Sequence, residues 1–285
     1  MPDFPITDTH VHLWDIRRLN YPWLAGTPAL NRNLGLSEYQ AACGNVKVRE
    51  MIFVQCDCVP EQAIAEAEWV ASLSKADPRL SGIVARASLE NGNSASEQLA
   101  QLAEIPLVKG IRRLIQGESD PEFPLRDDFV RGVQLLHGYG FSFDLCLKHS
   151  QLAAAIQLVR RCPHVHFILD HVAKPDIAAG RLDPWRAEIR ELSRMENVTC
   201  KVSGLVTEAE WATWTTDQLR PYIEHVVECF GFDRVMFGSD WPVSTLATVY
   251  PRWVATVDEV LRACTRSERQ KFYVETARRV YRLDA

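Results

Sequence analysis

The decapeptide ITDTHVHLWD, residues 6–15, predicts a β-strand that carries two histidines on one face. Side chains alternate between the faces of a strand, so His10 and His12 point the same way about 7 Å apart, with Asp8 behind them. Two neutral imidazoles at this spacing bind a divalent metal, or they polarise a carbonyl oxygen without a metal. The alternative is a strand whose two histidines have no chemical role.

The rest of the chain alternates short apolar runs with helical patterns. Seven more predicted strands cover residues 51–56, 80–89, 107–112, 141–147, 165–171, 198–203 and 234–240. Predicted helices cover residues 60–74, 94–102, 126–137, 151–161, 184–195, 216–229, 250–263 and 266–281. This pattern predicts an α/β fold, a (β/α)8 or TIM barrel, as a single domain over residues 1–285. An open doubly wound sheet is the alternative, but the Gly-rich turn of nucleotide-binding folds does not follow the first strand.

Composition narrows the choice of partner. The chain has 285 residues, 47% hydrophobic and 24% charged, which suits a globular protein with a large core. A net charge of -5 gives no basic surface for nucleic acid or an anionic membrane. The sequence contains neither a secretory leader pattern nor an apolar run long enough to span a bilayer. We therefore predict a cytoplasmic protein whose partner is a small molecule, with its oligomeric state left open.

Polar residues collect at the ends of the predicted strands. The C-terminal ends of barrel strands share one rim, where active sites lie. This rim receives His10, His12, Arg112, Lys148, His149, His171, Lys201, Ser203 and Asp240. The last strand of a closed barrel lies beside the first, so Asp240 should meet the histidine pair. The pattern predicts a general base next to a site that binds an electrophile.

Three positions leave a choice between neighbours: Asp170 or His171, Arg112 or Arg113, and Lys148 or His149. Because side chains alternate along a strand, we predict that His171 and Arg112 face the site, and we include His149 as a substrate-binding candidate. Lys201 is either a substrate-binding residue or a rim ion-pair partner.

Five motifs together resemble the amidohydrolase superfamily. They are Thr9–Asp15, Lys109–Arg112, Leu169–Pro175, Lys201–Leu205 and Gly238–Pro242, and the resemblance extends from residue 6 to about residue 280. More narrowly, they resemble its branch of sugar-lactone and dicarboxylate-lactone hydrolases, the amidohydrolase 2 type. Within that branch the chain is most similar to the L-fuconolactonases, followed by L-rhamnonolactonase and galactarolactonase.

The resemblance implies a distorted barrel that hydrolyses a cyclic ester. It assigns the family's eighth-strand aspartate to Asp240, which deprotonates the attacking water, and its first- and sixth-strand histidines to His10, His12 and His171. Metal-dependent members of the superfamily bind zinc or a similar ion with the residues that match His10, His12 and Asp240. The fifth strand departs from their pattern because it offers no clear ligand. We therefore expect a lactonase that requires no cofactor, although zinc can occupy the site.

The expected reaction is hydrolysis of L-fucono-1,5-lactone in L-fucose degradation, or of 1,4-lactones such as L-fucono-, L-galactono- or D-arabinono-lactone. A lactone carbonyl is more electrophilic than an amide, so a positioned base and hydrogen-bond donors suffice. In this hypothesis Asp240 takes a proton from water and returns it to the leaving alkoxide. The predicted substrate-binding residues are Arg112, Trp14, His149, Lys201 and Trp241. Two alternatives are a metal-dependent decarboxylase or hydrolase of the same superfamily and a non-catalytic sugar-acid sensor.

Overall fold

The structure, a computed structural model, describes residues 1–283. Its eight parallel strands pair in chain order. They are β1 (Ile6–Val11), β2 (Val48–Val54), β3 (Leu80–Ala85), β4 (Val108–Arg112), β5 (Ser142–Leu145), β6 (Phe167–Leu169), β7 (Val198–Val202) and β8 (Val235–Phe237). All eight were predicted as strands, with ends that differ by a few residues.

The first and last strands meet and nearly close the barrel. Val11 pairs with Trp241 just beyond β8, and two backbone hydrogen bonds of 2.8 and 2.9 Å run from His12 N to Trp241 O and from Asp240 N to His10 O. Asp8 strengthens this seam because its carboxylate accepts hydrogen bonds from Ser239 N, Tyr39 and Tyr250. The predicted barrel is confirmed, and Asp8 is part of its framework.

Helices cover the outside of the barrel. They are α1 (Leu36–Cys43), α2 (Ala63–Leu73), α3 (Ala95–Ala103), α4 (Asp127–Leu135), α5 (Leu152–Arg161), α6 (Trp185–Leu192), α7 (Thr216–Phe230), α8 (Tyr250–Val260), α9 (Arg266–Gln270) and α10 (Thr276–Val280). The sequence reasoning missed α1, whose eight residues carry a weak apolar stripe and bury Tyr39 and Cys43. The predicted last helix is interrupted by a π-helical turn at Lys271–Glu275.

The two ends of the barrel differ. At one end, the C-terminal turn packs Ala277, Val280, Tyr281 and Leu283 against apolar side chains of the barrel interior. The strands end at the opposite rim, where the polar side chains gather. The C-terminal turn therefore closes the lower end of the barrel and leaves the upper rim for a site.

Within residues 1–283, no helix combines the length and apolar composition needed to cross a bilayer.

Candidate active site

Four side chains predicted from the sequence converge at the upper rim. Asp240 Oδ1 lies 3.4 Å from His12 Nε2, 3.7 Å from His10 Nε2 and 3.9 Å from His171 Nε2. The His10 ring centroid lies 4.9 Å from that of His12 and 4.4 Å from that of His171. All four side chains are buried. The strand pairing of β1 with β8 therefore builds a compact carboxylate and imidazole cluster.

Backbone and side-chain contacts fix the orientation of the histidines. His12 Nδ1 donates to Val54 O at 2.7 Å, so the hydrogen resides on Nδ1 and Nε2 faces Asp240. His171 Nδ1 shares a 2.9 Å hydrogen bond with Ser203 Oγ. Gly204 follows with a positive φ of 63°, and a Cβ there would lie 2.5 Å from His171 Nδ1. Glycine is required at this position because its backbone approaches the imidazole so closely.

Arg112 faces the cluster, and Arg113 does not. Arg112 Nη1 donates to His10 Nε2 at 3.2 Å and lies 3.3 Å from Asp170 Oδ2, while Nη2 donates to Gln55 O at 2.6 Å. Arg113 instead pairs with Glu90 and Glu118 away from these groups. The structure therefore places Arg112 next to the histidines and Arg113 away from them, and the role of Arg112 in binding substrate stays a prediction.

Asp170 and His171 both face inward, whereas alternation predicted only one of them. The strand β6 ends at Leu169, and the chain enters a left-handed conformation with φ of 53° at His171. Strand alternation does not apply beyond that point, so both side chains reach the interior. Asp170 Oδ1 lies 3.4 Å from His10 Nδ1, which places this carboxylate beside both His10 and Arg112.

Burial controls the charge of these groups. Burial lowers the pKa of His10 well below its usual value and that of His171 to about 4, which keeps both imidazoles neutral near pH 7. Burial alone would raise the pKa of Asp240, but His171, His12 and His10 outweigh this effect and hold it below its usual value. An ionised carboxylate next to neutral imidazoles can accept a proton from water.

A pocket of about 220 Å³ opens above this cluster. Its lining combines the polar cluster with apolar and other polar side chains from the surrounding loops. They are His12, Trp23, Cys56, Asp57, Arg112, Leu114, Gln116, Cys146, His171, Lys174, Asp240 and Val243. The volume and the mixed lining suit a small polar molecule.

Four residues predicted to bind substrate lie outside this pocket. Trp14 is buried where the chain turns away after β1, and its Nε1 donates to Arg32 O. Trp241 is buried against Tyr39 beside the seam of β1 and β8. His149 begins a short 3-10 turn, His149–Gln151, and is half-buried there.

Lys201 also differs from its predicted place on the rim. It points into the barrel from within β7, and its Nζ lies 2.5 Å from Asp144 Oδ2 and 3.1 Å from Asp170 Oδ1. It is therefore the cation of an interior ion-pair cluster below the pocket. The tryptophan that does reach the pocket is Trp23, which packs edge-on against Trp14 at a centroid distance of 5.5 Å.

Trp23, Gln116 and Lys174 line the pocket but were missed as site residues. Trp23 lies in a short 3-10 turn, Pro22–Gly26, and Gln116 lies in the loop after β4. The periodicities of strands and α-helices give no information about side-chain direction at these positions. Lys174 belongs to the motif Leu169–Pro175, which was used for the family resemblance alone. Lys174 follows the end of β6 by five residues, and this closeness to the rim was the signal that could have identified it as a site residue.

The donor set fits a zinc ion in ligand type and spacing. One ligand atom from each of His10, His12 and Asp240 lies within 4.8 Å of the others, and zinc binds imidazole nitrogen and carboxylate oxygen. The bond from His12 to Val54 O is the kind of outer contact that orients a ligating histidine. Arg112 is the competing group, because it donates to the same His10 Nε2 that would bind the ion.

Acidification should destabilise the protein through His171. Because its pKa is about 4 in the fold and 6.5 ordinarily, the unfolded chain takes up a proton first as the pH falls. The contribution is complete above pH 6.5 and is lost toward pH 4, at a cost of about 3 kcal/mol in the free energy of unfolding. Urea unfolding at pH 7 and pH 4.5 measures this loss. Between these two pH values, His171→Gln should lose less free energy of unfolding than the wild type does, whereas His149→Gln should lose as much as the wild type. Equal losses in the wild type and in His171→Gln would contradict the assignment.

Comparisons with known proteins cover nearly the whole barrel. The amidohydrolase family model matches residues 7–283. Two L-fucono-1,5-lactonases, from Burkholderia multivorans and Burkholderia ambifaria, are 31% and 29% identical to this chain, and each alignment covers 97% of this chain and 95% of the relative. A solved amidohydrolase from Burkholderia multivorans with bound zinc is 29% identical with a TM-score of 0.88, covering 99% of this chain and 100% of that one.

Proposed function

Since this chain belongs to the amidohydrolase family, we propose that it hydrolyses the lactone of a sugar acid, with L-fucono-1,5-lactone as its preferred substrate. The relatives named as L-fucono-1,5-lactonases support a hydrolase that acts on lactones. The observation that carries the proposal is the contact of Asp240 with three histidines at the base of a small pocket. We place the reaction in L-fucose degradation in the cytoplasm.

Asp240 acts as the general base in this proposal. Its ionised carboxylate lines the pocket and accepts a proton from a water molecule, whose oxygen then attacks the lactone carbonyl carbon. Its Oδ1 lies 3.4 Å from His12 Nε2, 3.7 Å from His10 Nε2 and 3.9 Å from His171 Nε2, so the base stands among three imidazoles at the bottom of the pocket.

Arg112 stabilises the oxyanion that forms on the carbonyl oxygen. Its guanidinium carries a permanent positive charge, lines the pocket and is held by Asp170 and Gln55 O. A fixed cation in a buried site stabilises developing negative charge strongly, because little solvent screens it. His10 and His171 complete the polar wall.

We also propose that turnover requires no metal. Zinc bound by His10, His12 and Asp240 would polarise the carbonyl, which is the effect assigned here to Arg112. The hydrogen bond from Arg112 to His10 supports this proposal. It occupies the lone pair of His10 Nε2 and places a positive charge next to the three groups that would bind zinc.

A panel of lactones assayed before and after chelation tests both proposals. We expect protein analysed for metal to release acid from L-fucono-1,5-lactone faster than from L-galactono-, D-arabinono- and L-rhamnono-lactone. Turnover should survive chelation. If activity disappears on chelation and returns with zinc, the proposal of lactone hydrolysis stands and the proposal that turnover requires no metal is overturned. Failure to hydrolyse any of these lactones would overturn the proposed function.

A further inference from the structure

A half-buried lysine on the pocket wall has no role in the reaction as described so far. Lys174 lines the same pocket as Asp240 and Arg112, and its side chain is 18% exposed. Its Nζ lies 3.7 Å from Glu208 Oε1, which is beyond hydrogen-bond distance. A partly desolvated ammonium group therefore borders the space where substrate would sit.

An unusual backbone conformation places Lys174 there. His171, Val172, Ala173 and Lys174 have successive φ values of 53°, 48°, 65° and 47°. This left-handed conformation is unfavourable for residues with a Cβ, and it is most unfavourable for a β-branched residue such as Val172. Trp185 helps to hold the turn, because its Nε1 donates to Val172 O at 2.7 Å. The turn presents both His171 and Lys174 to the pocket, and such strain concentrates at functional sites.

Lactone hydrolysis needs a proton for the leaving alkoxide, and few pocket groups can supply it. Arg112 does not release its proton. His171 has both ring nitrogens directed at other groups, because Nδ1 lies 2.9 Å from Ser203 Oγ and Nε2 lies 3.9 Å from Asp240 Oδ1. The Cys146 thiol would leave a buried thiolate. An ammonium group that protonates an alkoxide removes two opposite charges from the pocket, which low-dielectric surroundings favour.

Building on the proposed function, we propose that Lys174, rather than Asp240 as expected from the sequence, protonates the lactone ring oxygen as the ring opens. Lys174 first donates a hydrogen bond to that oxygen. Asp240 takes one proton from water while the water oxygen bonds to the carbonyl carbon. The bond from that carbon to the ring oxygen then breaks, its electron pair stays on the oxygen, and Lys174 supplies the proton. The new carboxylic acid reprotonates the Lys174 amine, Asp240 releases its proton to solvent, and the aldonate leaves.

Three substitutions separate proton donation from charge alone. Lys174→Met should lower kcat about 100-fold, within the range for loss of a general acid, with KM changed less than threefold. Lys174→Arg should lower kcat as severely, because guanidinium keeps the charge but does not release the proton. Lys148→Met is the matched control and should keep wild-type kcat, since Lys148 is exposed and outside the pocket lining.

Chemical rescue provides a readout that a structural role would not change. Methylammonium should raise kcat of Lys174→Ala at least tenfold, while tetramethylammonium, which has a charge but no N–H, should not. Wild-type kcat in Lys174→Met, full activity in Lys174→Arg, or equal rescue by the two cations would overturn the assignment. If the wild type hydrolyses the lactone, any of these three results overturns the role of Lys174 alone and the proposed lactonase function stands. A wild type that hydrolyses no lactone overturns both proposals.

Discussion

Asp240→Asn is expected to lower kcat for lactone hydrolysis by about 1,000-fold, because an amide does not accept the proton of the attacking water. The substitution preserves the shape of the side chain and removes the charge that faces three histidines. Steady-state kinetics on the preferred lactone measure the loss. Circular dichroism and thermal unfolding establish that the variant is folded.

Asp176→Asn is the matched control for this prediction. Asp176 also follows β6 on the same side of the barrel, but it pairs with Arg181 outside the pocket. Its kcat should stay within twofold of the wild type. A folded Asp240→Asn enzyme that retained a tenth or more of wild-type kcat would reject Asp240 as the base and turn attention to the histidines.

Arg112→Met should produce the second large effect, a loss of about 100- to 1,000-fold in kcat. That is the usual cost of removing one donor to an oxyanion, and Arg112 is the permanently charged donor of the cluster. Methionine keeps much of the length of the side chain and removes the guanidinium. The loss should appear in kcat more than in KM, because the oxyanion exists in the transition state and not in the bound lactone.

The neighbouring arginine offers a control one residue away. Arg113 binds Glu90 and Glu118 and lies over the Phe123 ring at 4.7 Å from its centroid. Arg113→Met should alter stability and leave kcat near the wild-type value. If Arg113→Met abolished turnover and Arg112→Met did not, the oxyanion assignment would be wrong.

The parts of the fold and site that depend on regular strands were predictable from sequence. Alternation along β1 placed His10 and His12 on one face, and barrel closure placed Asp240 beside them, as the structure shows. Strand order therefore predicted the position of the central carboxylate. The same reasoning favoured Arg112 over Arg113, and Arg112 is the residue whose guanidinium contacts His10 in the structure.

The sequence did not predict side-chain positions beyond the ends of the strands, or positions that depend on burial. Asp170 and His171 both face inward because the chain leaves β6 in a left-handed turn, which no periodicity reveals. Lys201 lies in the interior because two buried carboxylates, Asp144 and Asp170, neutralise its charge. The sequence shows neither partner to be near Lys201. The tryptophan that lines the pocket, Trp23, lies in a short 3-10 turn after β1, and its position depends on long-range packing that the sequence does not show.

The seam between β1 and β8 also affects the order of events during biosynthesis. His10 and Ser239 are hydrogen-bonded across this seam although 229 positions separate them in the chain. A ribosome that adds about 5–20 residues per second needs roughly 10–50 s to cover that interval. During this time one edge of β1 has no strand partner, and its unpaired backbone groups are free to pair with another chain. The active site therefore forms only near the end of translation, after most of the barrel has already been synthesised.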